Sequence, residues 1–111
     1  MAHAADDSYF CTMLETATME TFTPHIGQIF RFVVDEQSQL ITKLTEVTPW
    51  GPGAAANRPR MPFSLIFHSL PDTYLPQQIY RVESDVLEPL ELFLVCIGPD
   101  ERGMRYEAVI T

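Results

Sequence analysis

A mainly β domain is the fold class this sequence predicts: a small antiparallel barrel or two-layer sandwich of about six strands, preceded by one or two short helices. Three observations predict it. From residue 29 onward, apolar residues recur at every second position in several separate segments, the period of a half-buried strand. Those segments are rich in β-branched and aromatic residues and are bounded by Gly, Pro and Asp clusters. Helical periodicity is confined to the residues before them.

Taken in order, the apolar residues Tyr9, Phe10, Met13, Leu14 and Ala17 fall at helical spacing behind Ser8 or Asp7 as N-cap. Thr18 is a second N-cap candidate, Pro24 limits the turn that follows, and Gly27 is a natural stop. Phe30, Phe32 and Val34 then alternate with Ile29, Arg31 and Val33, and the polar turn 35–38 leads into a hairpin partner at Leu40 to Val47. Residues 48–62 contain four prolines and two glycines, which forbid a regular element and predict a long connection. Strands are expected again at Phe63 to Ser69 and at Ile79 to Glu83. Leu90 to Ile97 is apolar on both faces, which predicts a central strand with Leu92, Phe93, Leu94 and Val95 all covered. Gly98-Pro99-Asp100 should end it, and Met104 to Ile110 should follow with Met104, Tyr106, Ala108 and Ile110 pointing inward.

With 111 residues there is room for one domain, divided here into an N-terminal extension at 1–17 and a β-rich domain at 18–111. The formal charge of −8 repels phosphate backbones and anionic bilayers, so neither nucleic acid nor membrane is expected as a partner. Cys11 and Cys96 stand far apart without metal-ligand spacing, which suits two free thiols in a reducing compartment. Asp6 and Asp7 lie where a signal peptide needs basic residues, so a cytoplasmic location is the expectation.

Phe63 to Phe67, Leu75 to Tyr80, Leu90 to Asp100, Met104 to Val109 and the Gly-x-x-Phe element at Gly27 to Phe30 together resemble a family of small bacterial β-rich domains of unknown function. The similarity spans roughly residues 18–111. It implies a β-rich fold and no established active site. Some members accompany genes for phage-tail-like or collar-type proteins, which implies a place in a multiprotein assembly.

No chemical motif stands out. Ser64 lacks a nucleophile-elbow turn, Cys96 lies on an apolar strand, and His3, His25 and His68 sit on separate segments without ligand spacing. The acidic groups Asp35-Glu36, Asp85-Glu88-Glu91 and Asp100-Glu101 read as solvated acids of turns and strand ends. No cofactor, metal or catalytic residue is therefore expected. Two segments are candidates for a protein partner. In 48–62, Trp50, Arg58 and Arg60 form a basic-aromatic patch without an acidic residue. In the first helix, Tyr9, Phe10, Met13 and Leu14 form an apolar stripe that could enter a groove. The expected function is a non-enzymatic structural or interaction subunit whose partner is unidentified; the alternative is a small β-barrel holding an apolar ligand. A homo-oligomer is left open.

Overall fold

The alternation from residue 29 resolves into six antiparallel strands in a computed structural model, whose described residues are 17–49, 62–71 and 73–110. Helix α1 covers Met19–Phe22 and continues into a 3-10 turn at Thr23–His25. The strands are β1 (Ile29–Asp35), β2 (Ser38–Pro49), β3 (Phe63–Ser69), β4 (Gln78–Ser84), β5 (Leu90–Asp100) and β6 (Gly103–Ile110). They close into a barrel in the order β1-β2-β3-β6-β5-β4, which decides between barrel and sandwich.

The helical start follows from capping. Thr18 is the N-cap; its N–H donates to the Thr21 hydroxyl at 3.0 Å while Thr21 N–H donates back to the Thr18 carbonyl at 2.9 Å. Pro24 falls inside the 3-10 turn, and Gly27 takes a φ of +96°, the left-handed conformation that releases the chain into β1. Phe22, fully buried, meets Phe63 at 5.9 Å between ring centroids and closes one end of the barrel. The β3–β4 connection crosses the opposite end. There Leu75 N–H donates to the Tyr106 hydroxyl at 3.1 Å and the Tyr80 hydroxyl donates to the Pro76 carbonyl at 2.7 Å. Burial raises the pKa of both phenols above the ordinary value, so they stay protonated.

A six-stranded barrel is narrower than the eight-stranded barrels that hold a small ligand, and its inward side chains fill it. Phe67 stands edge-to-face against Phe30 at 5.5 Å and Phe32 at 5.2 Å, and Phe32 meets Tyr106 at 5.6 Å. Thr42, the buried polar residue among them, donates to the Phe30 carbonyl directly across the β1–β2 ladder at 2.8 Å.

Several expectations are corrected. Residues 48–62 are not connection throughout: Thr48 and Pro49 extend β2, pairing with Ser64 and Phe63. Proline is tolerated there because β1 pairs with β2 only as far as Lys43, leaving the other edge free of a ladder. Likewise Gly98-Pro99-Asp100 does not end β5. A bulge between Cys96 and Gly98 re-aims the strand, which pairs with β6 as far as Asp100, beyond the reach of β4. A register shift between Val33 and Asp35 turns Val34 out to solvent. The prediction that Leu92, Phe93, Leu94 and Val95 are all covered fails at Phe93, which is 52% exposed, and at the half-buried Val95. A closed barrel gives every strand one inner and one outer face; the outer face of β3 is covered, with Ser64, Ile66 and His68 all buried, whereas that of β5 is open at Phe93.

Candidate functional site

The extra length of β5 and β6 shapes the exterior. β5 pairs with β4 from Leu90 to Leu94 and with β6 from Val95 to Asp100, so the β5–β6 hairpin overshoots and comes to lie against the end of β3. Its approach is very close. Gly103 has a φ of +140°, and a Cβ there would collide with the Ser69 carbonyl. The hairpin is pinned by Asp100, whose carboxylate accepts from His68 Nε2 at 2.9 and 3.0 Å and from Arg102 N–H at 2.8 Å. Chiefly the His68 hydrogen bond, then that of Arg102, lowers the Asp100 pKa from an ordinary 3.8 to about 2. Asp100 is therefore more than the solvated turn acid expected.

The other ring nitrogen of His68, Nδ1, lies 2.7 Å from Thr45 Oγ1, and the Thr45 hydroxyl is also 3.2 Å from the Ile66 carbonyl. A hydroxyl, an imidazole and a carboxylate in line suggest a nucleophilic triad. Here His68 is only 6% exposed, and both nitrogens are occupied by protein partners. The arrangement ties β2, β3 and the hairpin together, with His68 largely shielded from solvent. Among the described residues no group of acidic, His and Cys side chains could hold a metal ion. Cys96 is a free, half-buried thiol packed against the core.

Outside the barrel, two features stand where a partner could reach them. A cleft of about 830 Å³ runs over the outer face of β2 toward the hairpin tip. Ile29, Ile41 and Leu70 form its apolar walls, Lys43 and Arg102 its charged rim, and His68 with Ser69 part of its floor. On the far side, Ile79 and Phe93 are cross-strand partners on β4 and β5, 64% and 52% exposed. On β6, two residues beyond the Val95–Glu107 pair, Val109 also faces outward and is 40% exposed. Arg81 and Glu91 form the next cross-strand pair.

Neither feature contains a residue of the two segments expected to meet a partner. Tyr9, Phe10, Met13, Leu14, Trp50, Arg58 and Arg60 lie outside the described residues. Phe93 was concealed by the apolar run around it; Lys43 reads as an exposed strand residue, and nothing local signals the cleft beside it.

A family described as a domain of unknown function, DUF6916, matches residues 17–110, the barrel and the helix that closes its end. The chain belongs to this family. No curated protein and no solved structure shows a significant match to it. Among the described residues, no helix is long and apolar enough to cross a membrane. Family membership thus accompanies a closed barrel.

Proposed function

We propose that this member of the family is a non-enzymatic structural or protein-interaction subunit, an accessory component of a bacterial multiprotein assembly such as a phage-tail-like one. The observation that carries this is the apolar outer face at Ile79, Phe93 and Val109, on a barrel whose interior is already filled. Single exposed apolar residues are ordinary on a protein surface. Adjacent aromatic and aliphatic residues on neighbouring strands form a patch, and patches mark contact surfaces. The rival, an apolar ligand inside the barrel, would have to displace the Phe30, Phe32 and Phe67 rings from their edge-to-face contacts. The non-enzymatic part is supported by the burial of His68, which is only 6% exposed. The tail-like setting is supported by the family resemblance alone.

The test compares two double variants in cells that produce the protein natively, reading assembly by size fractionation and cross-linking. Ile79→Asp with Phe93→Asp should release the chain from its complex while leaving the melting temperature close to that of the parent. Trp50→Ala with Arg60→Ala probes the 48–62 segment in the same way. If only the second pair releases it, the contact surface is that segment. If native mass spectrometry finds a stoichiometric small molecule and neither pair changes assembly, the ligand alternative replaces this proposal.

A further inference from the structure

The β2 cleft combines apolar walls with a charge opposite to that of the chain as a whole. Among the described residues, Arg31, Arg81, Arg102 and Arg105 each have a carboxylate within ion-pair distance, and Lys43 is the lysine or arginine that has none. Arg102 pairs with Glu46 at 3.6 Å, and both side chains are about half exposed. A guanidinium has five donors, so such a contact leaves most of them for another acceptor. On a chain of net charge −8, an acidic partner is repelled almost everywhere and attracted here.

We propose that this cleft binds an extended segment of a partner protein in which apolar and acidic residues alternate. The proposal rests on the domain being an interaction subunit but uses a surface other than the β4–β5–β6 face. Gln39, Ile41 and Lys43 are successive outward residues of β2, and Ile29 lies directly across from Lys43. Ile41 and Lys43 thus stand at the two-residue spacing of a strand, with Ile29 beside Lys43, and an extended peptide presents its own side chains at the same spacing. Its carboxylates meet Lys43 and Arg102 while its apolar residues lie on Ile29, Ile41 and Leu70. The walls favour a chain over a small amphipathic acid. Ile41 is 49% exposed and Leu70 74% exposed, whereas small-molecule sites enclose most of their ligand.

The experiment titrates the full chain with short, capped, fluorescein-labelled peptides of alternating leucine and glutamate, leucine and lysine, or serine and glutamate. Binding is followed by anisotropy and by amide chemical shifts. The leucine–glutamate peptide should bind saturably, shift the amides of Ile29, Ile41 and Lys43, and weaken as salt rises. Lys43→Glu should raise its Kd by about tenfold or more, a loss of about 1.4 kcal/mol. Lys43→Gln serves as the measure should the charge reversal unfold the chain. The serine–glutamate peptide should bind more weakly and the leucine–lysine peptide not at all. The Ile79→Asp, Phe93→Asp double variant should bind the peptide like the parent, so this result stands or falls apart from the test of the other face. The proposal is overturned if the leucine–lysine peptide binds equally well or if neither Lys43 variant changes the Kd. The same holds if the double variant loses the peptide, or if decanoate displaces it at lower concentration than the peptide itself binds.

Discussion

At Gly103 two constraints coincide: a φ of +140°, and no room for a Cβ beside the Ser69 carbonyl. Gly27 shares only the first, since a Cβ there meets nothing. Gly27→Ala should therefore cost about 1 kcal/mol of backbone strain, and Gly103→Ala about 2 kcal/mol or more, because the hairpin must also move. Chemical denaturation of both variants checks the order. The same hairpin is held by Asp100, and its lowered pKa gives that hold a pH dependence. A carboxyl whose folded pKa lies below its unfolded value stabilises the fold fully above the unfolded value. That stabilisation fades as pH falls from about 3.8 toward about 2. Asp100→Asn should thus lower the melting temperature at neutral pH, with the gap to the parent closing across that acidic window. A gap that stays constant down to the bottom of the window would show that the charge on Asp100 does not hold the hairpin.

Strand β5 shows what separates a sequence pattern from an element's surroundings. Leu94 is 1% exposed and inward, while its neighbour Phe93 points outward and is 52% exposed. Leu94→Ala should destabilise by about 2–5 kcal/mol, the range for emptying a core position. Phe93→Ala should cost no more than about 1 kcal/mol. Equal shifts in the denaturation midpoint would mean that Phe93 is covered in solution, as self-association through that face would do. Most elements are legible in the sequence. The Thr18 cap, the Gly27 stop, the inward sets of β3, β4 and β6 and the hairpin at residues 35–38 all follow from local periodicity and turn chemistry. The missed portions, at Pro49 and at Gly98-Pro99, share one cause. Proline ends a strand only where both edges are paired, and here each proline lies beyond the reach of one neighbour.

For the whole molecule, the apolar alternation, the acidic charge and the absence of a chemical motif were all present in the sequence. They determined a mainly β domain of about six strands and, outside the doubly apolar β5 run, which face of most strands points inward, because burial of that face depends on which residues alternate. Closure was decided by tertiary structure. Whether six strands form a sandwich or a barrel depends on β1 meeting β4 and β3 meeting β6, pairings between segments far apart in the chain that no local pattern encodes. Closure in turn decided which half of the β5 run faces water, so that Phe93 joins Ile79 in an exterior patch rather than a second core. It also decided that Asp100 reaches His68 across 32 positions of sequence, turning an acid at the end of a strand into a clamp. Lys43 is a lysine on a strand until β2 curves beneath the hairpin tip; the cleft around it exists only in three dimensions.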